Sequence, residues 1–246
     1  MFSKNVVEKI LSDLDRIQNR IGYCFRNRLL LVQVFLHSSV FNVPIEVEID
    51  GRKELLSSNQ RLEFLGDGIL SYLVSEYVFL KYPTFSEDYL SSYKSLIVNY
   101  YTLYKVCFHL GLQEYLVFNY ESLGKNSANL KTFSDTVEAL IGAIYLDSES
   151  VFPVKKFFLD VILGVFYLYL DEIVENIFDW KGFLQSILQK KGLQLPKYKV
   201  VDKSHDGFFI MACYDGIEVS SGFGRTKKEA EKQAALNFIK KMRLDQ

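Results

Sequence analysis

Residues 59–68 read NQRLEFLGDG, and their spacing sets the interpretation of the rest of the chain. The apolar positions recur with a helical period, yet two carboxylates, Glu63 and Asp67, stand four residues apart among them. Residues three or four apart lie on one face of a helix. Together with Gln60, the two acids therefore form a polar stripe on a helix that is otherwise apolar.

A second stretch, DTVEALIGAIYLD at residues 135–147, repeats this pattern with Asp135 and Glu138. One interpretation is ordinary, because acids in a first turn favour the helix dipole and Asp135 would be only an N-cap. Against it, an unpaired carboxylate among apolar residues is costly. We expect no basic partner at helical spacing, since Arg61 points elsewhere.

Small residues, Gly66, Gly68 and Gly142, stand beside the two stripes and would let two helices approach closely. If the stripes face each other, four carboxylates meet, and their repulsion requires a cation. Ligands that are all oxygen suit Mg²⁺ or Mn²⁺ rather than zinc. A hard divalent ion in such a cluster is suited to hydrolysis of a phosphodiester.

The charge is divided unevenly along the chain. The net charge of −1 over 246 residues combines about −6 in residues 1–178 with about +5 in residues 179–246. An acidic body with a basic tail indicates that the tail attracts a polyanion. The acidic part would then hold the chemistry, the contacts with partners, or both.

Three scattered cysteines, with no C-x-x-C pair, favour a reducing, cytoplasmic location. The first ten residues, MFSKNVVEKI, are too polar for a signal peptide. The most apolar run, residues 151–170, is interrupted by Lys155, Lys156 and Asp160, so we expect a buried helix and no membrane contact.

The spacing predicts a mainly α chain. Helical patterns cover residues 5–41, residues 87–110, the second acidic stretch and residues 153–175. Another helix, for which Asn59 or Ser58 is the predicted N-cap, runs to about Lys81. Residues 41–58 read as a loop or a short irregular strand.

The pattern changes at about residue 179. A helix that ends at Gly192 is followed by three strand-like segments, the last two joined by Asp215 and Gly216. A capping box, Thr226 with Glu229, opens a closing helix. The order α-β-β-β-α predicts a compact second domain.

These two acidic segments, in this order and followed by such a domain, resemble the bacterial ribonuclease III family. The shorter IGYCFRNRLLLVQVFLHSS at residues 21–39 is also similar to that family. The resemblance implies an all-helical endonuclease domain at 1–175 and a double-stranded-RNA-binding domain at 179–246. It implies Mg-dependent hydrolysis of double-stranded RNA to staggered ends with 5′-phosphate and 3′-hydroxyl, in processing of ribosomal, messenger and transfer RNA precursors.

The resemblance also assigns roles to residues. Glu63, Asp135 and Glu138 match the metal ligands, with Mn²⁺ able to replace Mg²⁺, and Asp67 and Glu138 match the catalytic pair. Phe64 resembles the aromatic residue that packs into the second subunit of a homodimer.

Three features depart from the family pattern. Gln60 stands where many bacterial members have Glu, so we expect altered substrate positioning or cleavage strength and not inactivity. The segment 42–58 is longer than in compact members, and NLKTFSDTVEAL lacks the small apolar residues often found before the second motif. The alternative function is a catalytically silent dimer that binds double-stranded RNA as a regulator.

A-form RNA displays 2′-hydroxyls in a wide minor groove and phosphates beside it, so short polar side chains and cations are needed to bind it. Two helical glutamines, a loop histidine and lysines at the start of the last helix, where N–H groups favour phosphate, meet that need. The candidates are Gln185, Gln189, His205, Lys227, Lys228 and Lys232. Each alone is typical of a solvated surface, and their order in the domain favours RNA binding. We interpret His37 and His109 as structural.

Overall fold

The structure is a computed structural model that describes residues 2–40, 43–49, 52–119, 127–190 and 192–244. It divides into two compact units, Met1–Ile177 and Phe178–Gln246, which are described in turn. None of the helices in the described ranges combines the length and the apolar character needed to cross a membrane.

The first unit is built mostly from helices. They are α1 (Phe2–Ser12), α2 (Leu14–Ile21), α3 (Arg28–Val34), α4 (Gln60–Lys81), α5 (Glu87–Ile97), α6 (Tyr100–His109), α7 (Ser127–Ser148), α8 (Val151–Phe157), α9 (Leu163–Leu168) and α10 (Leu170–Ile177). A 3₁₀ turn (Leu112–Glu114) follows α6, and a π-helical turn (Phe158–Ile162) joins α8 to α9. The prediction of a mainly helical chain is confirmed.

Helices α4 and α7 pack against each other at the centre of this unit. A Cβ added at Gly66 would overlap the carbonyl oxygen of Glu138, and one added at Gly142 would overlap the carbonyl oxygen of Leu62. Only glycine allows the two backbones to come this close. The expected close approach of the two acidic helices is therefore confirmed, and Gly66 and Gly142 permit it.

Asn59 fixes the start of α4, but not by capping it as the sequence predicts. Its side chain makes no cap hydrogen bond, and instead its Nδ2 donates to the carbonyl oxygen of Val34 at 3.1 Å. Its backbone N–H donates to the carbonyl oxygen of Leu36 at 2.8 Å. Asn59 is fully buried, so these bonds tie the beginning of α4 to the end of α3.

Asp147 fixes the other end of the pair. Its carboxylate accepts from the hydroxyl of Tyr23 at 2.8 Å and from the backbone N–H groups of Arg26 and Asn27 at 2.9 and 2.7 Å. The Arg26 guanidinium also donates to the Asp147 carbonyl oxygen. The end of α7 is thereby held against the segment between α2 and α3.

A β-hairpin departs from the all-helical expectation for this unit. Strands β1 (Ile45–Ile49) and β2 (Arg52–Leu56) pair antiparallel, with Ile45 opposite Leu56. The sequence pattern left this segment as a loop or an irregular strand. In this segment Ile45, Val47 and Ile49 alternate with acidic residues, which is the period of a strand.

Two predicted helices are divided. The stretch 87–110 is interrupted before α6 because Asn99 takes an extended conformation, and its side chain accepts a hydrogen bond from the N–H of Tyr101 at 2.9 Å. The stretch 153–175 contains the π-helical turn and a break at Tyr169.

The second unit has the predicted α-β-β-β-α order. Its elements are α11 (Trp180–Lys190), β3 (Lys197–Ser204), β4 (Gly207–Tyr214), β5 (Ile217–Gly224) and α12 (Lys227–Leu244), with strand order β3-β4-β5. Asp215 and Gly216 both have positive φ in the β4–β5 turn. The capping box is complete, since Thr226 and Glu229 exchange two hydrogen bonds of 3.2 Å. Both local predictions are confirmed.

Candidate active site and nucleic-acid interface

Three acidic side chains meet where α4 and α7 pack. Carboxylate oxygens of Glu63, Asp135 and Glu138 all lie within 4.8 Å of one another. Asp135 is buried, and the other two are half-buried. The stripes predicted on two separate helices therefore do face each other.

Burial and mutual repulsion make these carboxylates hard to ionise together. Burial, followed by the charges of Asp135, Asp67 and Glu63, raises the pKa of Glu138 to about 8. Burial and the charge of Glu63 raise the pKa of Asp135 to about 6. Burial also raises the pKa of Glu63. A cation placed among the three would stabilise the ionised forms.

The donor set fits a hard divalent ion. All three candidate ligands are carboxylates, and they converge on one point, as oxygen-preferring ions require. The group contains no imidazole or thiolate of the kind that favours zinc.

Asp67 lies outside the three-acid group and its side chain is exposed. Its charge nevertheless raises the pKa of both Glu63 and Glu138, so it stands close to the cluster on the solvent side. The structure thus brings three of the four predicted acids into ligand distance and leaves the fourth at the edge.

Lys131 is the residue that the sequence analysis missed. Its ammonium lies 3.5 Å from Oδ2 of Asp135, four residues later on α7. The expectation that the acids have no basic neighbour at helical spacing was wrong. The i,i+4 spacing from Lys131 to Asp135 is visible in the sequence, within the segment NLKTFSDTVEAL.

Gln60 and Phe64 line an open groove at the start of α4. Gln60 is exposed in the first turn of α4, and the Phe64 ring is 84% exposed. The groove has a volume of about 650 Å³. Its other lining residues are Leu30, Gln33, Ser57, Arg61, Leu62, Leu65 and Leu146.

The predicted RNA-binding residues of the second unit lie at three places. Gln185 and Gln189 are on α11, half-buried and exposed respectively. His205 is exposed in the turn between β3 and β4. Lys227 and Lys228 are exposed in the first turn of α12, between the two residues of the capping box.

Lys232, one turn further on, has a different environment. It is half-buried, and burial lowers its pKa although the charge of Asp179 opposes that effect. Its ammonium is therefore less available to solvent than those of Lys227 and Lys228.

Comparison with known proteins supports both the acidic site of the first unit and the RNA-binding assignment of the second unit. Residues 60–149 match the Ribonuclease III domain, and residues 180–242 match the double-stranded RNA binding motif. Ribonuclease 3 of Geobacillus kaustophilus is 33% identical over 98% of this chain and 95% of its own length. The Clostridium acetobutylicum enzyme is 37% identical over 92% of this chain and 96% of its own. The chain belongs to the ribonuclease III family.

A solved ribonuclease III structure supports the fold of the first unit. The nuclease domain from Campylobacter jejuni superposes with a TM-score of 0.50 at 28% identity, covering 62% of this chain and 98% of that one. Its description refers to flexibility in a region involved in dimer formation of that domain.

Membership of the ribonuclease III family confirms that the protein is an endoribonuclease specific for double-stranded RNA. The nuclease match includes α4 and the second acidic stretch, and therefore all four acids. It begins at Gln60, so the β1–β2 hairpin lies outside the matched region.

His37 is held locally, as interpreted from the sequence. Its Nδ1 lies 2.8 Å from Oγ of Ser39 and accepts from the Ser39 N–H at 3.1 Å. Burial, followed by the charge of Lys131, lowers its pKa. His37 thus lies near enough to Lys131 to be affected by its charge.

Proposed function

We propose that this ribonuclease III hydrolyses double-stranded RNA in a Mg²⁺-dependent reaction at the Glu63, Asp135 and Glu138 cluster. The observation that carries the proposal is the convergence of three carboxylates within 4.8 Å, with pKa values raised by burial and repulsion. Mn²⁺ would serve in place of Mg²⁺, since both accept all-oxygen ligands.

In this proposal the three acids hold the metal, which when bound supplies a hydroxide-like nucleophile and stabilises charge on the leaving oxygen. Glu138 gives up its proton when the ion binds, because its raised pKa falls beside a cation. Asp67, exposed beside the cluster, accepts the proton of the attacking water.

The reaction joins the water oxygen to phosphorus and breaks the bond from phosphorus to the 3′-oxygen. The 3′-oxygen takes up a proton, so the products carry 5′-phosphate and 3′-hydroxyl ends. Gln60, neutral and exposed at the start of α4, contributes to substrate positioning by hydrogen bonding.

Homodimerisation follows in this proposal from Phe64 and its groove. Phe64 is 84% exposed, and it lines a groove together with Leu30, Leu62, Leu65 and Leu146, so a partner surface placed there would bury apolar area. In an isologous dimer, each ring would enter the groove of the other subunit. Two sites would then act on opposite strands, which accounts for staggered ends.

The second unit binds the duplex in this proposal. Gln185, Gln189 and His205 contact 2′-hydroxyls in the minor groove, and Lys227 and Lys228 contact phosphate at the start of α12. Lys232 assists less, because it is half-buried. Recognition of this kind reads shape, so the cellular substrates would be structured ribosomal, messenger and transfer RNA precursors in the cytoplasm.

A cleavage assay with the full chain tests the proposal. Labelled duplex RNA is incubated with Mg²⁺, Mn²⁺, Ca²⁺ or EDTA, and the ends of the products are mapped. We expect cleavage with Mg²⁺ and Mn²⁺ only, and staggered 5′-phosphorylated ends. Binding without cleavage in every metal would instead identify a silent double-stranded-RNA-binding dimer.

A further inference from the structure

Lys131 places a positive charge at the acidic cluster. Its ammonium is 3.5 Å from Oδ2 of Asp135. Its charge also acts on Glu63 and Glu138, the two other members of the cluster. One lysine therefore faces all three carboxylates proposed as metal ligands.

A second lysine on the same unit shows what an ordinary pair of this spacing looks like. Lys156 pairs with Asp160 at i,i+4 on the surface, and the two side chains are 75% and 57% exposed. Such exposed ion pairs contribute little to the stability of a protein. At Lys131 the partner Asp135 is only 11% exposed, and two more carboxylates lie within 4.8 Å of it.

The position of Lys131 also allows it to leave. Its side chain is 70% exposed, so the ammonium can move into solvent by rotation of its flexible stem without disturbing the core. A divalent ion that occupies the cluster would repel the ammonium from the same oxygens.

We propose that Lys131 is the resident counter-cation of the metal site: a divalent ion binds by displacing its ammonium, and Lys131 thereby sets the metal concentration needed. This inference rests on the proposed function, since it takes Glu63, Asp135 and Glu138 as the ligands. Without metal, Lys131 offsets part of the carboxylate charge, and during loading it competes with the ion.

Binding of Mn²⁺ to the full chain, free of RNA and measured by the electron paramagnetic resonance of unbound Mn²⁺, tests this directly. We expect Lys131→Gln to bind roughly tenfold more tightly than wild type, because one competing charge a few ångströms away is removed. Lys131→Arg, which keeps the charge, and Lys156→Gln, which removes the ordinary surface pair, should bind like wild type.

Thermal unfolding supplies an independent readout. In EDTA, Lys131→Gln should melt a few degrees below wild type and Lys156→Gln should not, because only the first leaves three carboxylates without a cation. Saturating Mn²⁺ should raise the Tm of Lys131→Gln more than that of wild type.

The possible results separate this inference from the proposed function. Equal or weaker Mn²⁺ affinity in Lys131→Gln overturns the counter-cation role, and wild-type cleavage with Mn²⁺ would then leave the nuclease proposal standing. A wild-type protein that neither binds Mn²⁺ nor cleaves RNA overturns both. An unchanged Mn²⁺ affinity with a raised KM for RNA would assign Lys131 to the substrate instead.

Discussion

Glycines bring a helix against its neighbour in both units, but the functional side chains are placed differently. In the nuclease unit, Gly66 and Gly142 allow α4 and α7 to pack backbone to backbone, and the acids converge at that contact. In the RNA-binding unit, a Cβ at Gly222 would overlap the backbone of α12 at Ala230 and Ala234. There Lys227 and Lys228 stand at the start of the helix and are exposed.

The difference shows that the first unit depends on exact distances between side chains, whereas the second depends on the presence of charge. The carboxylates proposed as metal ligands are positioned by backbone packing, and their mutual distance depends on the core. Groups that bind phosphate tolerate side-chain freedom, because charge acts over several ångströms and duplex RNA is read by shape. Substitutions in the first unit should therefore change catalysis or folding, and those in the second should change affinity.

The largest expected effect is on cleavage. Glu138→Gln removes one carboxylate from the cluster while keeping its size, so kcat should fall by more than about a hundredfold, as expected for loss of a metal ligand. Asp67→Asn should also abolish cutting. Duplex affinity, measured by filter binding in Ca²⁺, should stay within a few fold. Equal losses of cutting and affinity would show that these acids are structural.

The next largest effect is on folding. Gly142→Ala places a methyl group against the Leu62 carbonyl oxygen, and overpacking of this kind destabilises by about 1–3 kcal/mol or more. Gly164→Ala is the matched control, because a Cβ there meets nothing within 4 Å. It should stabilise by about 0.5–1 kcal/mol, as for Gly to Ala in a helix. Urea unfolding measures the free energy of unfolding of both variants. Similar changes in the two would show that the contact between the α4 and α7 backbones does not cause the loss of stability.

In the RNA-binding unit, the effect should be smaller and confined to affinity. Replacing Lys227 and Lys228 together by Ala removes two proposed phosphate contacts, so binding should weaken roughly tenfold and the salt slope should fall by about two. The pair Lys240 and Lys241, at the other end of α12, is the control and should leave the slope unchanged. A loss of kcat with unchanged slope would count against the division between the units.

The smallest expected effect is on the pH dependence of stability. The pKa values of Asp135 and Glu138 rise from 3.8 and 4.5 to about 6 and about 8, so the folded state binds these protons more tightly than the unfolded chain. In EDTA, the free energy of unfolding should therefore fall as the pH rises from about 4 to about 8, lowering the Tm by a few degrees.

The control for this titration is the double variant Asp135→Asn, Glu138→Gln, which has no such protons to lose. The Tm difference, wild type minus variant, should decrease across the same pH window. A difference that grows with pH would show that the acids are stabilised as anions by some other group.

The sequence predicted those features whose structure is determined by residues within one short segment. The capping box of Thr226 and Glu229 and the turn at Asp215 and Gly216 are local, and both were predicted. The acidic stripes were recognised because helical spacing alone puts each on one face. Glycines within the stripes then indicated that the two faces meet.

What escaped prediction depends on contacts between distant residues. Asn59 bonds to Val34 instead of capping α4, which only the position of α3 decides. The break before α6 follows from the side chain of Asn99 competing with the helix backbone, and such competition is hard to weigh against a continuous apolar pattern. The role of Lys131 requires knowing that Glu63, on another helix, stands beside Asp135.

Asp147 has a consequence for the order in which the protein is made. The residues that it holds, Tyr23 to Asn27, leave the ribosome some 120 positions earlier, as the separations of 120 to 124 residues along the chain show. Their hydrogen bonds to Asp147 can form only after that residue has been synthesised, and α4 can pack against α7 only after α7 has been synthesised. A nascent chain therefore cannot bring Glu63 together with Asp135 and Glu138 until α7 has been synthesised.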